Sequence, residues 1–149
     1  MWALSDKELN DYYQRESRYL GTYPKDVIPM KLAKKNEGAM IINMNNSDQG
    51  GSHWTLILLN KDNTIYFDSF GVVPSMDVVR FMKKRGKPMY YSDRQLQDLA
   101  SSSCGWFSIH FIDECLLKGR NFLDVLNQDF GYDVKKNERL LASYFAKKA

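Results

Sequence analysis

Residues 53–59 (HWTLILL) and 64–70 (TIYFDSF) are two apolar, β-prone runs separated by Asn60, Lys61, Asp62 and Asn63, all turn-compatible. Such a pair folds as an antiparallel hairpin, and nothing else in the chain limits its fold as strongly. With a four-residue loop, Leu59 faces Thr64, which sets the rest of the register: His53 faces Phe70 and Asp68 faces Thr55. His53 and Thr55 share a face of their strand. Asp68 therefore stands one diagonal step from His53, within reach of a carboxylate–imidazole contact. An odd-numbered loop would put the two on opposite faces.

The remaining segments pack around this hairpin. Ser5 and Glu8 have the S-x-x-E spacing of a capping box, opening a helix with Leu9, Tyr12, Tyr13 and Leu20 available for its apolar face. Residues 21–29 (GTYPKDVIP) read as a loop held by two prolines. Residues 39–43 suggest a short strand and 45–52 a glycine-rich turn. A helix is expected over 74–84, a strand over 87–91 and a helix over 103–118. Phe107, Phe111, Ile112, Cys115 and Leu116 would form the broad apolar face of that last helix. One or two amphipathic helices complete residues 121–149. With no repeat or linker, residues 1–149 are expected to form one α+β domain, a small, mostly antiparallel sheet flanked by helices.

Charge and composition exclude several classes. A net charge of +3 is no nucleic-acid signature. The basic clusters at 34–35, 83–85 with Lys87, and 147–148 read as solvated surface. The first residues, MWALSDKELNDYYQ, include acidic groups and no apolar run, unlike a signal peptide. No apolar stretch approaches the ~20 residues of a membrane span. Two cysteines without an export signal imply a reducing compartment and a protein that is not secreted, leaving the N-x-S sequon at Asn45 idle.

One of those cysteines, Cys104, ends the polar run QDLASSS and begins the apolar segment CGWF. That places a thiol at a helix N-terminus, where free backbone N–H groups and the helix dipole favour negative charge. The thiolate is the nucleophilic form. Gly105 would leave room for a substrate backbone. Cys115, by contrast, lies mid-helix among Ile112, Leu116 and Leu117 and reads as a packing residue. Eleven residues along one helix is about 16 Å, too far for the two to form a disulfide.

A thiol nucleophile needs a base, and the base an orienting partner. His110 lies six residues beyond Cys104, on another side of the same helix, and reads as structural or exposed. His53 is the candidate base and Asp68 its partner. Oxyanion donors would be the backbone N–H of Cys104 and the side-chain amide of Gln97 or Gln95, between which the residues alone do not choose. A zinc site from His53, Cys104, His110 and Cys115 fits no structural spacing, so no metal is expected.

The order HW, hairpin, FDSFG, then Gln97, six residues and CGWF resembles the cysteine endopeptidases of the adenovirus maturation protease type. These share a fold with the SUMO and other ubiquitin-like-modifier proteases. The resemblance spans residues 41–112 and includes IINMNNSDQGGSHW as a phrase. It implies Cys104 as nucleophile, His53 as general base and later acid, Asp68 as histidine orienter and Gln97 as oxyanion-hole amide. Gln97 is preferred to Gln95 by its six-residue gap. Trp54, with Gly51 and Gly105, is then expected at the substrate channel, beside small residues such as glycine at the scissile bond. Asp68 departs from the adenovirus pattern, which has glutamate there, and agrees with the SUMO proteases.

The resemblance implies polypeptide substrates, viral capsid or scaffold precursors cleaved during particle maturation. The alternatives are a deconjugating protease for a ubiquitin-like modifier and an inactive binding or scaffolding module of the same fold. The adenovirus-type peptide cofactor bonds to a cysteine outside the active site. Cys115, the spare thiol, reads as buried, so no cofactor is required. Stimulation by DNA or a peptide and weak nucleic-acid contact stay open. No membrane association or stable oligomer is expected, and the location implied is host-cell cytoplasm or nucleus and the virion interior.

Overall fold

Five strands lie across one sheet in chain order: β1 (Tyr19–Pro24), β2 (Gly38–Asn43), β3 (Trp54–Leu59), β4 (Thr64–Phe67) and β5 (Met89–Tyr91). The computed structural model describes residues 1–48 and 53–148. β2–β3 and β3–β4 are antiparallel, whereas β1–β2 and β4–β5 are parallel. The sheet is therefore mixed, rather than mostly antiparallel. The unanticipated strand is β1, which starts two residues before what reads as a proline-held loop and includes Leu20, a residue expected on the face of the first helix, which instead ends at Tyr12. All six of its residues are half-buried, so no period-two signal marks it. Pro24 closes this edge strand, a place where proline is tolerated.

The hairpin has the four-residue loop and the register read from the sequence, Leu59 opposite Thr64 through Leu56 opposite Phe67. Asn60 builds the turn: its Oδ1 accepts the N–H groups of Asp62 and Asn63 at 2.9 and 2.8 Å. Arg85, at the end of α2 (Met76–Arg85), then pins the turn in place. Its guanidinium donates to the carbonyls of Asn60, Asn63, Lys35 and Asn36 and to the Thr64 hydroxyl. Arg85 is thus a buried structural cation and no part of a solvated basic surface.

β2, β3 and β4 are buried on both faces, which explains their near-continuous apolar runs. Ile57, Leu59 and Tyr66 face a core completed by α2 and the short 3₁₀ turns at Lys25–Val27 and Met30–Lys34. Leu56, Leu58 and Phe67 face the other core, beneath α3 (Cys104–Phe111). α1 (Asp6–Tyr12), α4 (Phe122–Asp129) and α5 (Val134–Lys148) contribute to that second layer, and α1 begins with the expected Ser5–Glu8 capping box.

All eight residues of α3 are buried, so it carries no polar face. The helix expected to continue to residue 118 passes instead into a π-helical segment, Ile112–Leu117. The wider turn shifts the side-chain phase and brings Asp113 and Glu114 inward. Both are paired there: Asp113 with Tyr13 and Lys148, Glu114 with Lys118, Arg120 and Tyr144.

Candidate active site

β3 opens at Trp54 and β4 closes at Phe67, so His53 and Asp68 are the first residues past the ladder at one end of the hairpin. The sequence register continues beyond the hydrogen-bonded pairs. His53 stacks on Phe70 with ring centroids 4.4 Å apart, and its Nε2 lies 2.7 Å from Asp68 Oδ1. The same carboxylate oxygen accepts the Phe70 N–H at 2.8 Å, which fixes its direction. α3 starts under this end of the sheet, where the Trp54 N–H donates to Cys104 Sγ at 3.3 Å. The first turn of a helix, a thiol and a carboxylate-bound histidine thus meet at one place.

Asp68 only accepts, so its bond requires the proton of His53 to sit on Nε2. The other ring nitrogen, Nδ1, is buried without a hydrogen-bond partner. In the neutral ring, Nδ1 is the lone pair available to take a proton from Cys104. Burial pulls the His53 pKa down, but bonding to Asp68, the contact with the Cys104 sulfur and the charges of both outweigh it, holding the ring at about 9. The electrostatics favour an imidazolium next to the thiol.

Gln97 is fully buried, close to the turn that follows Asp68. Its Oε1 accepts from Ser69 Oγ at 2.5 Å, and its Nε2 donates to the Ser101 carbonyl at 2.9 Å. Gln95 is exposed, and its amide donates to the Gln97 carbonyl at 2.9 Å. The structure therefore ties Gln97 into the loops around Cys104 and leaves Gln95 bracing it from outside.

Of the three expected substrate contacts, Trp54 and Gly105 are packed against this chain's own residues. Gly51 lies outside the described residues. The room left by Gly105 is filled by Leu4, whose Cδ1 stands 3.1 Å from where a Cβ would be. Trp54 is 8% exposed and its indole N–H donates to the Leu4 carbonyl at 2.7 Å, so its ring packs against this chain's own first residues. Trp106 donates in the same way to the Trp2 carbonyl at 2.9 Å, and Trp2 stacks edge-on against it. Trp2 and Leu4 thus cover the start of α3, a contact that no sequence pattern announced. Indole N–H groups seeking acceptors were the only hint.

His110 is 3% exposed and bonded to Asp129 at 2.8 Å, in a helix–helix interface rather than at the thiol. Cys115 is half-buried, and burial pushes its thiol up to about 12. Both cysteines are free. Among the described residues, no group of three or more His, Cys, Asp or Glu side chains is placed to hold a metal, and no helix is long and apolar enough to cross a membrane. A cavity of about 970 Å³ lies at the far end of the hairpin between Leu58, Ile65, Tyr90, Arg94 and Phe122, and none of His53, Asp68, Gln97 and Cys104 lines it.

The overall fold is similar to that of the ASFV pS273R protease: TM-score 0.63 at 14% identity, covering 91% of this chain and 62% of that one. A selenomethionine form of the same protease matches with TM-score 0.58 at 14% identity, covering 84% of this chain and 62% of that one. The chain spans 62% of the length of these solved chains. At this identity the likeness is one of fold, and it does not single out the adenovirus type. No family model matches the sequence, and no curated protein matches it.

Proposed function

We propose that this protein is a viral cysteine endopeptidase whose nucleophile is Cys104. The observation that carries the reading is His53, whose Nε2 is bound by Asp68 while its buried Nδ1 is left without a partner beside the thiol. The fold shared with a solved ASFV protease supports the same class.

In the reaction, Nδ1 takes the Cys104 proton and the thiolate attacks the peptide carbonyl carbon, placing negative charge on its oxygen. The backbone N–H of Cys104 and the Gln97 amide are the donors for that oxyanion. Collapse breaks the C–N bond as Nδ1–H protonates the leaving amine, giving a thioester. His53 then deprotonates water, which displaces the thiolate and releases the acid. Asp68 keeps the ring in one tautomer and stabilises its charged form.

The substrates of this reading are viral capsid or scaffold precursors, cut beside small residues such as glycine within the host cell or the particle. No cofactor is required by the chemistry.

The first test is selective alkylation. By exposure alone Cys115, half-buried, should react before Cys104, which is 4% exposed. The charge-held pair predicts the reverse: at pH 7, iodoacetamide labels Cys104 at least about tenfold faster than Cys115, and His53→Ala removes the difference. Labelling in the order of exposure would overturn the reading. Turnover of a Gly-containing peptide, compared with that of an isopeptide-linked ubiquitin-like protein, then separates a maturation protease from a deconjugating one. Repeating the assay with added DNA tests stimulation.

A further inference from the structure

The run of three serines before Cys104 and the serine after Asp68 take no part in the proton transfers above. Ser69, Ser101 and Ser103 are nonetheless joined through Gln97. Ser69 is 1% exposed and follows Asp68 directly. Its carbonyl accepts the N–H groups of Leu96 and Gln97 at 2.8 and 3.0 Å, and its hydroxyl meets Gln97 Oε1 at 2.5 Å. On the other side, Gln97 Nε2 meets the Ser101 carbonyl at 2.9 Å and, more distantly, Ser101 Oγ at 3.4 Å. Ser101 Oγ also contacts Ser103 Oγ and accepts the Ser103 N–H, both at 3.0 Å, one residue before the nucleophile.

A glutamine amide has two nearly isosteric orientations, and only its partners choose between them. The Ser101 carbonyl can only accept, so Nε2 must face it. Oε1 then faces Ser69, whose hydroxyl must donate. Of the contacts Nε2 makes, the 3.4 Å approach to Ser101 Oγ is the weakest, and it is the one an incoming oxyanion could replace at little cost.

We propose that Ser69 is a positioning residue for the oxyanion donor: the Ser101 carbonyl sets which way the Gln97 amide faces, and the Ser69 hydroxyl, by gripping Oε1, holds Nε2 in place toward the Cys104 loop. The proposal rests on the protease reading. It makes Asp68–Ser69 a two-residue hub in which one side chain sets the base and the next sets the oxyanion donor. A substitution at Ser69 should then disable carbonyl chemistry and spare the Cys104–His53 pair.

Two electrophiles separate these effects. Iodoacetamide alkylates a thiolate by displacement and forms no oxyanion. A peptide aldehyde ending in Gly-glycinal adds the thiol to a carbonyl and forms a hemithioacetal that uses the oxyanion donors. In Ser69→Ala the expected result is an alkylation rate at Cys104 within about twofold of wild type. Aldehyde affinity should fall by roughly 10- to 100-fold, below the 10²–10³ of removing a donor outright. In a Gln97→Ala background, Ser69→Ala should cost no further affinity, because the hydroxyl acts only through the amide. Equal losses with both electrophiles would show a merely structural serine and overturn the proposal, as would undiminished aldehyde affinity or additive losses in the double variant. A wild-type protein that alkylates Cys104 no faster than Cys115 would instead overturn the protease reading, and this inference with it.

Discussion

Cys104→Ala is expected to abolish peptide hydrolysis, lowering turnover by on the order of 10⁶-fold, the scale seen when the nucleophile of a serine protease is removed. No other described thiol can substitute: Cys115 lies in the π-helical segment, its thiol pushed up to about 12 by burial. The fold should survive. Cys104 belongs to the core beneath the sheet, and its sulfur accepts the Trp54 N–H, so alanine removes a buried acceptor and a little volume. That costs roughly 1–3 kcal/mol. For a domain of this size the melting temperature would fall by about 3–10 °C. Steady-state cleavage and a thermal melt on the same sample check both halves. Residual turnover above about 1% of wild type would remove Cys104 from the mechanism.

The residues that carry this prediction were legible in the sequence for a simple reason. The four-residue turn of Asn60–Asn63 sets a strand register, and register has period two, so one loop length brought His53 and Asp68 together. The boundary between SSS and CGWF likewise marked the start of α3 at Cys104. What escaped were contacts between distant segments with no periodic signature. β1 joins the sheet although all six of its residues are half-buried, and its parallel pairing with β2 leaves no hairpin signal. The second parallel pair, β4–β5, is made by three exposed residues. Leu4 occupies the space beside Gly105, a site that reads as open because glycine signals room without saying what enters it. Arg85 belongs to a basic run and is nonetheless buried, since five oxygens from other segments converge on it. Ser69 shows the same limit at the site itself: its partner Gln97 lies twenty-eight residues away, and only the folded chain aligns them.

Asp68→Asn should leave the position of His53 largely intact and still lower kcat by on the order of 10³–10⁴-fold. The reason is the choice of tautomer and charge. Asp68 accepts from Nε2 at 2.7 Å and obliges the proton to sit there, leaving Nδ1 to serve Cys104. An asparagine amide can present its N–H₂ to Nε2 instead, moving the ring proton to Nδ1 and leaving no base at the thiol. The pH dependence follows from the same carboxylate. Burial opposes the charged ring, and Asp68 and Cys104 together hold it at about 9 against an ordinary 6.5. The folded state therefore binds the His53 proton more tightly than the unfolded state does. The resulting stability is complete below about pH 6.5 and is lost as pH rises through about 9. Wild type should lose melting temperature across that window, and the alkaline limb of kcat/KM should lie near its upper end. In Asp68→Asn, burial is left opposed only by the Cys104 sulfur, the ring loses its proton at lower pH, and the slope of melting temperature between pH 6.5 and 9 should flatten. Melts at half-unit pH steps, paired with kcat/KM profiles of both proteins, measure this directly. A slope that persists unchanged in Asp68→Asn would mean that another group carries the linkage and that Asp68 does not govern the charge of His53.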